Sequence, residues 1–237
     1  MGKNLIQQAR GKGGPRYRAP SFRYKGQVKH LAPNADVVKG RIISLITCQG
    51  HNAPLAEIKL DNNEYHLIIA PEGIREGDMI EAGDSAEIRP GSLLPLKNVP
   101  EGTLVYDIES RPGDGGKFCR SSGTFARVLG KTGDSVTIQF PSKKQKTLGL
   151  NCRACIGTVA GSGRKEKPML KAGKKHYAKK AKNKLYPIVS GNAQNAVDHP
   201  FGNSRSQRKS KARPTSRNAP PGRKVGMISA RRSGRKK

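Results

Sequence analysis

The net positive charge of this 237-residue chain lies at its two ends, residues 1–30 and 161–237. The formal net charge is +29, yet residues 31–160 hold 15 Lys or Arg and 15 Asp or Glu. Residues 1–30 hold 8 basic and no acidic side chains, and residues 201–237 hold 13 and none. Such a chain can bury a core only in its neutral body, and the two cationic arms around that body suit a polyanionic partner.

Neither arm has the composition of a folded core. The first, residues 1–36, alternates basic residues with Tyr17, Phe22 and Tyr24, and its glycines and prolines disfavour a helix over GKGGPRYRAPSFRYKG. Guanidinium groups bind phosphates and aromatic rings stack on bases, so this alternation is typical of RNA binding. A single arm could be an ordinary solvated tail, but the matching arm at the other end favours the functional interpretation. Both arms are expected to be disordered alone and to fold on a partner.

The neutral body is predicted to be mainly β. Short apolar runs recur in it, separated by Gly, Pro, Asn and Asp. The strand candidates are VVKGRIISLI (37–46), LAEIKL (55–60), EYHLIIAPEG (64–73), TLVYDIE (103–109) and SVTIQF (135–140). The last of these alternates, which turns Val136, Ile138 and Phe140 inward. This many short strands predict two small barrels, with a boundary near residues 108–112.

Regular structure is expected to fade along the tail, residues 166–237. A short helix is possible at 171–184, where Ala, Lys and Asn dominate, and its one-sided charge would need a counter-charged surface. Beyond Pro187 no regular element is expected. No run approaches the roughly 18 apolar residues of a membrane-spanning helix, and no signal-peptide core is present. The four cysteines are therefore expected in a reducing compartment, as thiols.

Two motifs that suggest cofactor or metal chemistry fail on spacing. PGDGGK (112–117) is too short for a Walker A loop, and Phe118 stands where that loop requires a hydroxyl residue. A tight turn whose backbone N–H groups meet a phosphate and a plain turn are about equally compatible with it. Cys152 and Cys155 form a CxxC, but structural zinc needs two more ligands at comparable spacing, so packed thiols are favoured. No cofactor and no metal are expected.

Asp198 and His199, within AVDHPFGNS, invite comparison with a catalytic pair. Adjacent residues of an extended chain point to opposite sides, so the carboxylate cannot orient the neighbouring ring. No nucleophile has a supporting motif such as GxSxG, and the segment has no core around it. The favoured interpretation is a kink, shaped by Pro200 and Gly202, that directs the tail toward RNA. No enzymatic activity is expected.

Six segments, in chain order, carry a resemblance to a known family. They are IIAPEG (68–73), LPLKNVPEGT (94–103), ESRPGDGGKFCRSSGTFA (109–126), CRACIGTVAGSGR (152–164), NAVDHPFGN (195–203) and APPGRKVGMISARRSGRKK (219–237). Together they resemble the L2 family of large-subunit ribosomal proteins, and the opening MGKNLIQQARGKG resembles its archaeal branch. Bacterial members continue DHPHGGG where this chain has Phe201, Gly202 and Asn203, so no role that needs a second histidine is carried over.

The resemblance implies an OB-like barrel at 37–108, then an SH3-like barrel at 109–165, flanked by extended basic arms at 1–36 and 166–237. It also implies a structural role in the cytoplasmic ribosome. The chain would bind large-subunit rRNA near the peptidyl-transferase region and support subunit association, tRNA placement and translation. The implied partners are this rRNA, neighbouring ribosomal proteins and the small subunit, with no membrane and no small-molecule substrate. A free-standing DNA compactor is the alternative, but it would need only the arms.

The candidate RNA-binding residues are cations of the arms and of the body's turns, together with the histidine of the DHP motif. They are Arg10, Lys12, Arg16, Arg18, Arg23, Lys117, Arg120, Arg164, Lys174, Lys175, His199, Arg205, Arg213, Arg217, Arg223, Lys224, Arg231 and Arg232. Each cation can neutralise a phosphate, whereas His199 can bond to a base or a ribose.

Overall fold

The computed structural model describes residues 3–31, 37–202 and 213–232. The chain divides into two compact units. The sheet unit is Ser21–Pro168, and the terminal unit combines Met1–Pro20 with Met169–Lys237. No helix among the described residues is long and apolar enough to cross a membrane.

The sheet unit contains one mixed sheet of ten strands. They are β1 (Val38–Ile46), β2 (Leu55–Leu60), β3 (Tyr65–Ile69), β4 (Met79–Ala82), β5 (Leu93–Pro95), β6 (Leu104–Tyr106), β7 (Ala126–Thr132), β8 (Ser135–Gln139), β9 (Gln145–Gly149) and β10 (Arg153–Ile156). Their order across the sheet is β3-β2-β1-β4-β5-β10-β6-β7-β8-β9. Neighbours are antiparallel except β4 and β5. The predicted mainly β fold is confirmed, and the strands form a single sheet that does not close on itself.

All five strand candidates from the sequence are confirmed, and β1 and β8 alternate in burial along their length. In β8, Val136 and Ile138 have no exposed surface, and Phe140 packs against the same core. Burial of a side chain of this size stabilises the fold by about 1.5–3 kcal/mol. Strands β4, β5, β7, β9 and β10 were not predicted, and two of them, β5 and β10, differ from the predicted strands in burial. Most of their residues are buried on both faces, so their sequences do not alternate.

Strand β10 joins the two flanks of the sheet. Its Ala154 pairs with Leu94 of β5, and its Cys155 pairs with Tyr106 of β6. The last strand in the sequence therefore lies at the centre of the sheet, between strands that come much earlier in the chain.

The two α-helices of the described residues lie in the terminal unit, which has very little core. The predicted helix near 171–184 is confirmed as α2 (Ala172–Ala181), whereas the first helix, α1 (Ile6–Gly11), was not expected. The Gln8 side chain accepts the Leu5 backbone N–H at 2.8 Å and so helps α1 to begin. Neither helix contains a buried residue. Among the unit's described residues, the buried hydrophobic side chains are Leu5 and Val225.

Candidate nucleic-acid interface

The two units differ strongly in charge. The terminal unit spans 25 Lys or Arg against one acidic residue, Asp198, which gives a net charge of +24. The sheet unit spans 21 Lys or Arg against 16 Asp or Glu, which gives +5. Asp198 itself lies 3.8 Å from Lys3 in an exposed pair. The terminal unit thus carries a large excess of positive charge, which attracts phosphate.

Most of the predicted RNA-binding residues are exposed, and they are spread over both units rather than gathered in one site. The exposed ones are Arg10, Lys12, Arg16, Arg18, Arg23, Lys117, Arg164, Lys174, Lys175, Arg213, Arg217, Arg223, Arg231 and Arg232. Arg120, His199 and Lys224 are half-buried, and Arg205 lies outside the described residues. An exposed cation can reach a phosphate without disturbing the fold, so these positions suit a polyanion.

Arg120 has a different environment from the other predicted cations. Its guanidinium donates to the backbone oxygens of Val28 at 2.8 Å and Gly116 at 3.1 Å. Its Nε lies 3.0 Å from Oδ1 of Asp107, a carboxylate that is almost completely buried. Arg120 therefore stabilises the sheet unit from inside.

A buried charged cluster centred on Glu109 was missed by the sequence analysis. The Glu109 carboxylate is fully buried and accepts hydrogen bonds from the backbone N and Nη2 of Arg153, at 2.9 and 3.0 Å. It also accepts the backbone N–H groups of Gly113 and Gly115, each at 3.3 Å, and faces His30 Nδ1 at 3.2 Å. Burial would raise the pKa of Glu109, but the bonds from His30 and Arg153 outweigh it and lower the pKa to about 2.

The PGDGGK turn uses its backbone N–H groups within the protein. Gly113 and Gly115 donate to Glu109, and Gly116 donates to Oδ1 of Asp114 at 3.2 Å. Gly116 has a φ of +85°, and a Cβ there would collide with the Asp107 carboxylate. Of the two sequence interpretations, the structure supports the plain turn, in which carboxylates of the chain take the place a phosphate would need.

The His30 ring lies between two carboxylates. Its Nδ1 is 3.2 Å from Glu109, its Nε2 is 3.4 Å from Asp107, and only 1% of its side chain is exposed. A neutral imidazole donates from one nitrogen, whereas an imidazolium donates from both. Burial would lower the pKa of His30, but its bonds to Asp107, Cys155 and Glu109 raise the pKa to about 11. The protonated ring therefore ties its segment of chain to the sheet.

Some residues of this buried cluster could also be considered as ligands of a metal ion. Among the described residues, the ligand atoms of His30, Asp107 and Cys155 lie within 4.8 Å of one another and could hold a metal ion. Arg120 already pairs with Asp107, and burial raises the pKa of the Cys155 thiol, so that the thiol keeps its proton. A protonated thiol and a carboxylate that already has a cationic partner are poor metal ligands, so the arrangement favours a protonated His30 over a bound metal. Cys152 packs in a different hydrophobic cluster from Cys155, and all four cysteines are free thiols. The CxxC spacing therefore does not form a ligand pair.

His199 is folded into the terminal unit. Its Nδ1 accepts the Phe201 backbone N–H at 3.1 Å, and the two rings meet edge-on with centroids 5.1 Å apart. The ring also lies directly against Gly191, where a Cβ would have no room. Because Nδ1 accepts a hydrogen bond, Nε2 is the nitrogen that can donate to a partner. Asp198 pairs with Lys3, as expected for a carboxylate that does not orient the neighbouring imidazole.

Comparison with known proteins assigns the chain to a family. The family described as Ribosomal Proteins L2, C-terminal domain, matches residues 89–219. Large ribosomal subunit protein uL2 of Archaeoglobus fulgidus is 52% identical over 234 residues, which cover 99% of both chains. The proteins of the same name from Methanothermobacter thermautotrophicus and Methanococcus aeolicus are 47% and 50% identical, over 100% of both chains. The chain belongs to the L2 family of ribosomal proteins, in its archaeal form, whose members are structural components and not enzymes.

Proposed function

We propose that this chain is a structural constituent of the large ribosomal subunit and binds large-subunit rRNA near the peptidyl-transferase region. The observation that carries the proposal is the terminal unit, with a net charge of +24 and a single acidic residue. Phosphates of RNA supply the negative charge that this unit lacks. Family membership supplies the ribosomal context.

The sheet unit is the folded platform in this proposal. Strands β1 to β6 lie within the OB-like barrel proposed at 37–108, and strands β7 to β10 lie within the SH3-like barrel proposed at 109–165. The basic arms proposed at 1–36 and 166–237 extend along the RNA. Neighbouring ribosomal proteins and the small subunit are the further partners, and the chain supports subunit association, tRNA placement and translation in the cytoplasm.

His199 has a positioning role in the proposal. Its contacts with Phe201 and Gly191 fix the ring and leave Nε2 to donate to a base or a ribose. The turn that follows is closed by the Gly202 backbone N–H, which donates to the His199 backbone oxygen at 2.9 Å. His199 thereby holds the tail in a defined direction and performs no bond chemistry.

A competition assay tests the proposal. The full-length protein is bound to a large-subunit rRNA, and small-subunit rRNA or duplex DNA is added at physiological salt. We expect neither competitor to displace the large-subunit rRNA at equal phosphate concentration, and we expect the protein to co-sediment with large subunits in high salt. Equal competition by duplex DNA, together with release from the subunits, would support a DNA compactor and overturn the proposal.

A further inference from the structure

We propose that the terminal unit contains a pocket for one unstacked nucleotide of RNA. The cavity measures about 310 Å³. Its lining combines three cations with three rings, Arg16, Lys180, Lys184, Tyr17, Tyr186 and His176. The identity of the RNA rests on the proposed function, whereas the pocket rests on its own geometry.

Two distant segments of chain build the pocket, and Asn183 locks them together. The Asn183 side-chain amide donates to the backbone oxygens of Pro15 at 2.8 Å and Arg18 at 2.7 Å. Asn183 adopts a left-handed conformation, with φ +50°, at the end of α2. The Lys184 backbone N–H then closes the helix end by donating to Lys179 at 2.9 Å. The pocket walls are thus held by hydrogen bonds between the segments.

The charge of the pocket points to an anionic ligand. Arg16, Lys180 and Lys184 are all exposed, and the one acidic residue of the terminal unit, Asp198, pairs with Lys3. Lys180 lies in the last turn of α2, where a cation also favours the helix dipole. The helix dipole does not account for Arg16 or Lys184, because both lie outside the helix. A phosphate placed among the three would supply the missing counter-charge.

Among anionic ligands, the aromatic rings of the pocket favour a nucleotide over free phosphate. Tyr17 and Tyr186 are half-buried and line the cavity, and His176 adds a third ring. Lys175 Nζ lies 5.5 Å from the centroid of Tyr186. Bases that are unstacked from RNA pack against tyrosine rings, whereas free phosphate gains nothing from them. A volume at the lower end of the usual range for ligand pockets, about 300–1,000 Å³, suits one nucleotide and excludes a duplex.

A tryptophan reporter tests the pocket directly, because the chain contains no tryptophan. In full-length Tyr186→Trp, the fluorescence of the only indole is followed while a short unpaired oligoribonucleotide is added. We expect stacking of a base on the indole to cause a saturable loss of fluorescence. Inorganic polyphosphate of equal charge should leave it nearly unchanged. Tyr17→Trp repeats the test from the other wall, in case the first substitution disturbs the unit.

Tyr177→Trp is the matched control. Tyr177 lies on α2, is 70% exposed and lies outside the lining of the pocket. Quenching of Tyr177→Trp equal to that of both pocket reporters, or equal quenching by polyphosphate and RNA, would overturn the pocket. Retained binding to large-subunit rRNA without quenching at either reporter would overturn the pocket alone. Loss of preference for large-subunit rRNA with quenching intact would overturn only the proposed function.

Discussion

The sheet unit and the terminal unit differ in how their basic side chains are balanced by acidic ones. The sheet unit, with a net charge of +5, encloses Asp107 and Glu109 and uses them to bind its own arginines. The terminal unit, at +24, has one acidic residue, and Leu5 and Val225 are the buried hydrophobic residues among its described positions. The first unit carries its counter-charges inside, whereas the second must obtain them from a partner.

Arginine shows the contrast at the level of single residues. Arg153 is part-buried, donates to Leu31 O at 2.7 Å and lies 3.0 Å from the Glu109 carboxylate. Arg16 is exposed, and it lines the pocket of the terminal unit with no acidic residue in the lining. Arginine therefore stabilises the fold in one unit, whereas in the other it is exposed and is proposed to bind a phosphate.

The largest expected difference between the two units is in how strongly salt lowers the affinity for rRNA. If on the order of 10 cations meet phosphates, log K for rRNA falls against log salt with a slope of about −7 to −9, which lowers the affinity by about 10⁴–10⁵ between 50 and 200 mM salt. Replacement of Lys174 and Lys175 by Gln should make the slope shallower by about 1.4–1.8. The matched control replaces Lys143 and Lys144, which are exposed in the sheet unit. An equal change in that control would break the division between the units.

Glu109→Ala should give the largest effect on folding stability. It leaves Arg153 and His30 without their buried partner, so we expect the free energy of unfolding to fall by about 3–5 kcal/mol. Denaturant titration followed by circular dichroism measures it. Glu87→Ala is the control, because its exposed pair with Arg89, at 2.8 Å, contributes at most about 1 kcal/mol. Similar losses in both variants would show that the buried cluster is not a source of stability.

Alkaline pH should weaken the sheet unit through His30. The pKa of this group is raised in the folded state, from 6.5 to about 11, so its contribution is complete below pH 6.5 and is lost as the pH rises toward 11. One proton limits the slope to about 1.4 kcal/mol per pH unit. The stability difference between wild type and His30→Gln should therefore shrink from pH 6.5 to 10. His66→Gln, at a more exposed site, serves as control. A constant difference would mean that His30 is not protonated.

His199 should give the smallest effect on affinity. His199→Ala removes one neutral contact, so binding to rRNA should weaken by about 0.5–1.5 kcal/mol. His199→Gln keeps a donor and an acceptor and should partly restore peptide-bond formation in reassembled subunits. The assay compares both variants with wild type from acidic to neutral pH. If Gln restores nothing, and the wild-type activity depends on pH in a way that both variants lose, proton transfer by His199 replaces the positioning role.

The elements that the sequence predicted are those whose signal is local. LAEIKL places Ala56, Ile58 and Leu60 on a buried face, and β2 covers the same six residues. The buried strand β10 was not predicted. Its burial on both faces removes the alternation of apolar and polar residues that marks a half-buried strand.

The charged cluster escaped prediction because its members are far apart in the chain. His30, Glu109 and Arg153 meet only after the sheet has formed, and nothing local marks any of them. The RNA-binding prediction for Arg120 rests on its charge alone, and its ion pair with Asp107 could not be predicted from the residue type. Tyr17 was predicted to stack on bases as part of the first arm, but the sequence could not show that it shares a pocket with Tyr186, since Asn183 joins their segments across 168 and 165 residues of sequence.

The central place of β10 has a consequence for biosynthesis. Leu94 and Tyr106 are made well before the strand that lies between them, so the middle of the sheet stays open until Ile156 has left the exit tunnel. Domains usually fold in the order of their synthesis, at about 5–20 residues per second. Here the nascent chain must keep two incomplete flanks soluble over that interval. The cationic tail emerges after β10, so the body can close before the segment richest in positive charge reaches the rRNA proposed as its partner.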